Sequence, residues 1–396
     1  MIFWKVLFWG SWLVIIYNYV GYAVIAYLFN RLFPLRESGG SRDPHSPAPA
    51  ITFIVAAYNE QDCILEKLQN SLLQDYPSGK IEFLFVTDGS SDATPDIIRT
   101  FAQEQPSVRL LHRPERLGKS AALNRAVAEA THDIIIACDA NTHLNPGAVR
   151  LIAAHYADPR VGGVAGEKKV IQTGEVGDGE GLYWKYESAL KRIDSRFYSV
   201  VGAAGELFSF RKSLFAAVPS SVILDDFIIS MRVAQQGYRV IYEPEACAME
   251  LPSFSMGDEK KRKVRIAAGG FQSVVMLGDL LRFWKYPRLS FLYISHRVLR
   301  WVASPFCLIT SAVSGLVLGL WAAEPLYQWL VAVLFIGFGL GLIAPFIPAK
   351  GPLKVLAKLA KLPRYFLFMN LSVLAGFVRF LKGAQPAAWE KARRFS

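Results

Sequence analysis

Residues 133–143 read DIIIACDANTH, and this stretch decides the fold that the sequence predicts. Its apolar run, residues 134–138, ends abruptly at Asp139, Ala140 and Asn141. A short apolar run of this kind is typical of a strand buried on both faces of a parallel sheet. Open α/β folds bind ligands where such strands end, and an Asp and an Asn one residue apart can hold a divalent cation together with substrate phosphates. An ordinary turn uses the same residue types, so the stretch alone leaves both interpretations open.

The sequence before and after this stretch alternates between strand-like and helix-like patterns. Further strands are predicted at residues 51–57, 81–86 and 108–112, with helices at residues 62–73, 94–105 and 120–130. The resulting βαβαβαβ order predicts a mostly parallel, doubly wound sheet of the Rossmann-like type. Later signals are mixed and predict strands at residues 163–171, 206–210 and 239–242, with helices at residues 183–192 and 227–236.

Composition indicates a soluble domain attached to a membrane. The chain has 396 residues, of which 52% are hydrophobic, and a net charge of +11. Positive charge of this size is typical of cytoplasmic loops that face anionic lipid, and the basic residues form no nucleic-acid recognition module. Four cysteines without CxxC spacing predict small core residues in a reducing compartment, without disulfides or zinc: Cys63, Cys138, Cys247 and Cys307.

Apolar segments predict several membrane helices. Residues 6–29 carry no charge and are long enough to span a bilayer, whereas the alternative, a signal peptide, lacks a small-residue cleavage site. Basic residues after this span place the following domain in the cytoplasm. Residues 298–323 and 327–347 predict two more spans, and residues 260–281 an amphipathic helix on the membrane surface. Residues 365–380 are short for a span, and the basic tail favours an inside carboxyl terminus, so an interfacial or re-entrant segment is predicted there.

These patterns divide the chain into six predicted parts. They are a transmembrane helix at residues 1–30, a linker at 31–50, an α/β catalytic domain at 51–255, interfacial helices at 256–297, membrane-associated helices at 298–381 and a basic tail at 382–396.

Polar residues follow each of the first four predicted strands. They are Tyr58, Asn59 and Glu60, then Asp88 to Asp92, then Arg113, Arg116 and Lys119, then Asp139 and Asn141. Carboxylates can accept hydrogen bonds from a nucleobase and ribose, while cations neutralise a diphosphate, so a nucleotide diphosphate with a metal is predicted. Singly, these residues also fit turns and helix starts. No P-loop is present, because Arg113 stands where its first glycine belongs, and no GxGxxG follows a strand.

Four motifs resemble family 2 glycosyltransferases in order and spacing. They are VAAYNE (residues 55–60), VTDGSSDAT (86–94), RLGKSAALN (116–124) and DAN (139–141). The resemblance covers about residues 51–272 and extends to the membrane-bound bacterial polysaccharide-synthase branch. It implies a GT-A fold, a nucleotide-sugar donor with a UDP-sugar favoured, and Mg2+ or Mn2+ as cofactor.

The resemblance also implies roles for individual residues. Tyr58, Glu60 and Asp88 are substrate-binding candidates, the last two at the nucleoside. Lys119 would lie near the nucleotide, and Asp139 and Asn141 stand where the family has DxD. They would therefore reach the diphosphate and the metal, although Asn141 supplies one negative charge fewer than Asp.

A second acidic motif, LDD at residues 224–226, resembles the catalytic ED motif of the family. Inverting transfer needs one base for the acceptor hydroxyl, which implies Asp226, with Asp225 raising its pKa as a neighbouring charge. A helix amino-terminal cap is the alternative for either residue. The GAAG segment at residues 202–205 resembles the acceptor-site loop and makes Gly205 a substrate-binding candidate, with a tight strand entry as the alternative.

Residues 262–266, RKVRI, stand where processive synthases have QxxRW. Arg265 matches the arginine of this motif and is the candidate for binding the diphosphate. Arg262, in the place of the glutamine, is a further substrate-binding candidate, and a polybasic helix on anionic lipid is the alternative for both. Ile266 replaces the tryptophan that would support a growing sugar chain, which argues against processivity.

The sequence therefore predicts an inverting, metal-dependent transferase at the cytoplasmic face of the bacterial inner membrane. It would move a sugar from a nucleotide diphosphate onto a lipid-linked or growing glycan acceptor. Two alternatives stay open: a processive polysaccharide synthase that also translocates its product, and an inactive membrane scaffold.

Overall fold

The computed structural model describes residues 1–33, 48–171, 178–251, 256–348 and 353–383. The strands are β1 (Ile51–Ala57), β2 (Ile81–Asp88), β3 (Val108–Arg113), β4 (Ile134–Asp139), β5 (His143–Leu144), β6 (Val161–Val170), β7 (Leu207–Arg211) and β8 (Arg239–Glu250). The helices are α1 (Ile2–Ile16), α2 (Tyr22–Leu32), α3 (Ile64–Leu72), α4 (Thr94–Glu104), α5 (Lys119–Glu129), α6 (Ala148–Ala154), α7 (Asp178–Phe197), α8 (Asp225–Gln235), α9 (Met256–Met276), α10 (Pro287–Tyr293), α11 (Ser304–Leu316), α12 (Pro325–Ile343) and α13 (Lys354–Leu381). A π-helical segment, Ile294–Ala303, joins α10 to α11 without a break.

The described strands form one sheet in the order β3-β2-β1-β4-β7-β6-β8-β5. β1 pairs in parallel with β2 and β4, and β2 pairs in parallel with β3, which confirms the doubly wound arrangement predicted for this part. The register sets Ala56 beside Asp139 and Ala57 beside Thr87. The polar residues that follow three strands therefore meet at one edge of the sheet.

The second half of the sheet differs from the prediction in its details. β7 runs antiparallel to β4, and the two-residue strand β5 has no counterpart among the predicted elements. The strand predicted to close at residue 242 continues to Glu250, because its second half pairs with β6 and with β5. The alternation of apolar and polar residues within one segment does not show which other strands will pair with it.

Two hydrophobic clusters cover the two faces of the sheet. One joins the sheet to α3 and α6 through residues such as Leu68 and Ile152. The other joins it to α5 and α8, and continues without interruption to Tyr22 in α2 and Phe271 in α9. The α/β domain and the apolar helices therefore share one core.

α9, which the sequence predicts as an amphipathic helix on a membrane surface, has part of its apolar side covered by protein, while Val275 is 70% exposed. Its apolar residues Ala267, Ala268 and Phe271 are at most 5% exposed and are covered by protein. A Cβ added at Gly376 of α13 would lie 2.5 Å from the Cβ of Ala267, so the two helices are in close contact. Small residues at this interface allow that approach, and a sequence pattern alone does not distinguish it from a lipid-facing stripe.

Four helical segments of the described chain are long and apolar enough to cross a membrane. They are Ile2–Leu32, Pro287–Trp321, Pro325–Phe346 and Lys354–Leu381. The last has 28 residues, because α13 begins well before the predicted segment at residues 365–380. The argument that this segment is too short for a span is therefore wrong. Most of the predicted linker (34–47) and of the basic tail (384–396) lies outside the described residues.

A buried polar network connects α7 to these apolar helices. Asp194 of α7 is fully buried and accepts hydrogen bonds from the Tyr22 hydroxyl and from Nδ1 of His296, the latter at 2.6 Å. Glu187, two turns earlier on the same face of α7, pairs with Arg300 and, at 3.2 Å, with Arg297. Charged groups buried in this way are stable only as a complete set, so the network fixes the position of α7 against the π-helical segment.

Asp194→Ala should therefore destabilise the protein strongly. It leaves Tyr22 and His296 buried without their shared acceptor, and removal of one partner of a buried pair costs about 3–5 kcal/mol. The measurement is the thermal unfolding midpoint in detergent. Asp279→Ala is the control, since that side chain is 45% exposed and pairs with Arg282 only at the surface. An equal, small shift for both variants would contradict a structural role for the network.

Candidate active site

An open cleft lies over the ends of β1, β2 and β4. It is lined by residues that follow these strands or begin α5: Ala56, Ala57, Tyr58, Glu60, Asp88, Arg116, Gly118, Lys119, Ala122, Asp139, Ala140 and Asn141. Six of the predicted site residues thus line one cleft: Tyr58, Glu60, Asp88, Lys119, Asp139 and Asn141.

Asp88 has one carboxylate oxygen engaged and one without a partner. Its Oδ2 accepts hydrogen bonds from the backbone N–H groups of Leu117 at 2.8 Å and Gly118 at 2.6 Å. Its Oδ1 is buried and has no hydrogen-bond partner within the described part of the chain. The first oxygen holds the loop before α5 in place. The second is a buried acceptor at the cleft, which is costly unless a ligand supplies a donor.

The side walls of the cleft include a stacked pair that the sequence did not predict. The guanidinium of Arg116 lies 3.7 Å from the centroid of the Tyr58 ring. The loop that carries Arg116 approaches so closely that a Cβ at Gly89 would lie 2.5 Å from the Arg116 Cβ. Gly89 also has a φ of +69°, so glycine is required there on both counts. Nothing in the local sequence pairs residue 58 with residue 116.

Glu60 is buried at the end of β1, where it fixes the loop as well as lining the cleft. Its Oε2 accepts from the Cys63 thiol at 3.3 Å, and its backbone N–H donates to Oγ1 of Thr94 at 2.8 Å. The carboxylate therefore lies at the junction of the first two strand-end loops.

Lys119, Asp139 and Asp226 meet where the cleft reaches the Gly205 loop. Nζ of Lys119 lies 2.6 Å from Oδ1 of Asp139. A Cβ added at Gly205 would lie 3.2 Å from Nζ of Lys119 and 3.2 Å from Oδ2 of Asp226. The two acidic motifs, 87 positions apart in the sequence, are thus on the same side of the sheet, and the absence of a side chain at Gly205 leaves room beside both groups.

The acid pair lies within the first turn of α8. The helix begins at Asp225, and Leu224 occupies the cap position without a side-chain cap. The alternative interpretation of these residues as an amino-terminal cap is therefore wrong. Asp225 is 5% exposed, and its Oδ2 has no hydrogen-bond partner among the described residues.

Asp226 is poised to exchange a proton near neutral pH. Burial and the negative charge of Asp225 raise the pKa of Asp226 to about 7, while Lys119 acts in the opposite direction. A carboxylate with such a pKa can accept a proton from a hydroxyl at physiological pH far better than an ordinary aspartate. Burial lowers the pKa of Lys119, but the negative charges of Asp139, Asp225 and Asp226 together raise it by more, so the lysine stays charged.

The two predicted arginines have different surroundings. Arg262 belongs to a cluster of ion pairs, with Nη2 3.4 Å from Glu206, Nη1 3.7 Å from Glu259, and Lys168 bound to the same Glu206. Arg265 instead feels the charges of Asp225, Asp139 and Asp226, which oppose the lowering of its pKa by burial and by Arg262. Of the two, Arg265 is the one whose pKa is raised by the charges of the acid residues of the site.

Asp139 and Asn141 are suitable oxygen donors for a hard divalent cation. The described residues contain no group of three or more His, Cys, Asp or Glu that could hold a metal ion alone. Mg2+ and Mn2+ commonly take one or two protein oxygens and complete their coordination with substrate phosphates and water. The two side chains at the cleft fit that manner of binding.

Residues 52–218 match the family model described as "Glycosyl transferase family 2". The chain carries a family 2 glycosyltransferase domain. Poly-beta-1,6-N-acetyl-D-glucosamine synthase of Staphylococcus aureus (strain MSSA476) is 30% identical over 257 residues, which are 62% of this chain and 59% of the relative. The synthase of Staphylococcus epidermidis is 28% identical over 283 residues, 68% of this chain and 66% of the relative. The chain thus spans 59% of the length of the Staphylococcus aureus relative.

A solved structure shares the fold across both the α/β domain and the apolar helices of this chain. The mannosyltransferase from Pyrobaculum calidifontis, solved in complex with GDP-Man and Mn2+, superposes with a TM-score of 0.70 at 24% identity. The match covers 95% of this chain and 99% of that chain. The predicted GT-A fold and the predicted family are confirmed, and the apolar helices belong to the same architecture.

The raised pKa of Asp226 predicts a pH-dependent stability difference from Asp226→Asn. The folded protein binds a proton at Asp226 up to about pH 7, whereas the unfolded chain releases it near pH 4. Wild-type stability should therefore fall relative to the variant as the pH rises through this interval, and the gap should stay constant above it. Thermal midpoints of both proteins at pH 5 and pH 8 measure this, with Asp96→Asn, an exposed carboxylate, as control. A gap of equal size at both pH values would show that Asp226 ionises normally.

Proposed function

We propose that the protein is an inverting glycosyltransferase that moves a sugar from a nucleotide-diphosphate sugar onto a lipid-linked or growing glycan acceptor. The observation that carries the proposal is the position of Asp226 beside Gly205 and Lys119, with a pKa of about 7. The base, the donor cleft and an open space for the acceptor are thereby adjacent.

The nucleoside end of the donor would occupy the part of the cleft near Asp88. The unpartnered Oδ1 of Asp88 offers an acceptor for a nucleobase N–H, such as that of uracil. The stacked Tyr58 and Arg116 offer a flat surface beside it, and Glu60 an acceptor for ribose or base. These features favour a UDP-sugar, although the mannosyltransferase with the same fold was solved with GDP-Man.

In the reaction, the acceptor hydroxyl attacks the anomeric carbon as Asp226 takes its proton. Asp225 holds a negative charge beside Asp226 and so keeps it basic enough for this step. Lys119 and Arg265 would offset the charge of the departing nucleotide diphosphate, which leaves without needing a second carboxylic acid. A divalent cation bound by Asp139 and Asn141 would add to this neutralisation.

The acceptor side of the proposal rests on the membrane architecture. Three of the four candidate spans contribute residues to the core of the domain, and the basic residues after the first span favour a cytoplasmic site at a bacterial inner membrane. The similarity to poly-beta-1,6-N-acetyl-D-glucosamine synthases supports a role in polysaccharide synthesis. Ile266, in the place of the tryptophan of processive synthases, favours transfer of single sugars over a processive synthase that translocates its product.

Transfer assays on the purified protein in lipid nanodiscs test this proposal. A panel of nucleotide sugars is offered with Mn2+ or Mg2+ and membrane lipid extract, and product mass is recorded. Wild type should give product at a rate that rises to a plateau above about pH 7, and Asp226→Asn should lose 100-fold or more, on the order of a general-base contribution. Asp279→Asn, in a surface turn, is the control.

The same assay separates the alternatives. Absence of turnover by wild type with every donor would favour an inactive scaffold. A ladder of products, in place of a single added sugar, would favour a processive synthase. Equal activity of wild type and Asp226→Asn would remove Asp226 from the role of base.

Asp88→Asn should weaken nucleotide binding while the loop keeps its shape. The amide oxygen can still accept from Leu117 and Gly118, but the NH2 group then faces the cleft as a donor in place of an acceptor. A buried mismatch of this kind costs about 1–3 kcal/mol, which is about 5- to 150-fold in affinity. Calorimetric titration with UDP and Mn2+ measures the change, against exposed Asp75→Asn as control. An unchanged affinity would place the nucleobase elsewhere.

A further inference from the structure

The loop that leads into the acid pair is held by α9, outside the cleft. The backbone N–H of Ile223 donates to Oε1 of Gln272 at 3.0 Å, and Nε2 of Gln272 donates to the carbonyl of Ser221 at 3.0 Å. One side chain of α9 thus satisfies both a donor and an acceptor of the three residues that precede Leu224. The mechanism proposed above does not use Gln272.

The residues on either side of the acid pair are also in contact with this framework. A Cβ added at Gly269 of α9 would lie 2.7 Å from Cγ of Leu224 and 2.9 Å from Cβ of Ile223. Phe227, immediately after Asp226, packs against Trp301 with ring centroids 5.5 Å apart. Trp301 lies in the candidate span Pro287–Trp321.

α9 is itself tightly packed against the apolar helices. A Cβ at Gly270 would lie 2.6 Å from the Trp301 ring, and one at Gly376 of α13 would lie 2.9 Å from the backbone N of Ala268. These contacts fix the position of α9, because the neighbouring atoms are ring and backbone atoms that cannot move aside easily. The chain of contact runs from α13 and Trp301, through α9, to the loop at residues 221–224.

We propose that Gln272 and Gly269 are positioning residues that set the location of the Asp226 carboxylate, so that the membrane-side helices form part of the catalytic framework. This inference rests on the proposed function, in which Asp226 is the base. Except for Arg265, which lies seven residues before Gln272 on α9, the proposed donor-binding residues follow β1, β2 and β4 or begin α5. Loss of the Gln272 hydrogen bonds should therefore alter proton transfer and leave nucleotide binding intact.

The decisive variant is Gln272→Ala, which removes both hydrogen bonds to the loop. We expect the kcat for transfer to fall about 10- to 100-fold, as for a small misplacement of a catalytic group, with the Kd for UDP and Mn2+ unchanged. The pH midpoint of kcat should also move downward, because a loosened Asp226 is better solvated. Gln272→Glu keeps the acceptor for the Ile223 N–H and should recover part of the rate.

Gln236→Ala is the matched control for this variant. Gln236 lies at the opposite end of α8, where its Nε2 donates to the carbonyl of Leu214 at 3.0 Å. It should leave kcat and the pH midpoint at wild-type values. A Gln272→Ala protein with wild-type kcat and pH profile, or one whose nucleotide affinity falls in parallel with kcat, would overturn the positioning role.

A pair of glycine variants tests the same inference if Gln272→Ala does not fold. Gly269→Ala drives a methyl group into Leu224 and Ile223, whereas Gly278→Ala, just after α9, meets no atom within 4 Å. Only the first should lower kcat at unchanged nucleotide affinity, and equal behaviour of the two would overturn the inference. Wild type and Asp226→Asn are measured in the same assay. An inactive wild type would refute the proposed function. A wild type and a Gly269→Ala protein that are equally active would refute only the positioning role.

Discussion

The arrangement of the site depends on one buried ammonium group. Lys119 forms an ion pair with Asp139 and lies beside Gly205, in reach of the charges of Asp225 and Asp226. Three carboxylates cannot be held this close together without a compensating cation. Lys119 is the first residue of α5, and the loop before it is held by Oδ2 of Asp88. Asp88, at the nucleoside end of the cleft, thereby also positions the cation that balances the negative charges at the catalytic end.

Much of this arrangement could be predicted from the sequence. Parallel strands bring their carboxyl ends to one edge, so the polar residues after residues 57, 88 and 139 had to meet once the βαβ order was recognised. The resemblance of LDD, which precedes a helix, to the acidic motif of family 2 glycosyltransferases predicted a second acidic group, and the structure sets it beside the first. Sheet geometry is sufficient for the first group, and the family resemblance was needed for the second.

Other features of the structure depend on contacts between segments that are distant in the sequence, and the local sequence pattern does not predict them. Arg262 and Arg265 are both substrate-binding candidates in the sequence, but Arg262 joins the ion pairs around Glu206, whereas Arg265, one helical turn later, is influenced by the charges of the acid residues. The stack of Arg116 on Tyr58, the length of β8 and the covering of α9 by α13 all require knowledge of the partner. The apolar stripe of α9 was visible in the sequence, but whether lipid or protein covers such a stripe is decided by packing.

The shared core of the α/β domain and the apolar helices limits how the molecule can be divided. Tyr22, Leu292 and Phe271, all outside the sheet-forming segment, belong to the same hydrophobic cluster as the sheet residues Ile54 and Phe208. A fragment cut at residue 251 would therefore expose part of its own interior to water, leave Glu187 without Arg297 and Arg300, and leave Asp194 without His296. A bilayer or detergent that shifts the apolar helices should consequently change the packing inside the α/β domain. The α/β domain and the apolar helices should also unfold together in one cooperative transition.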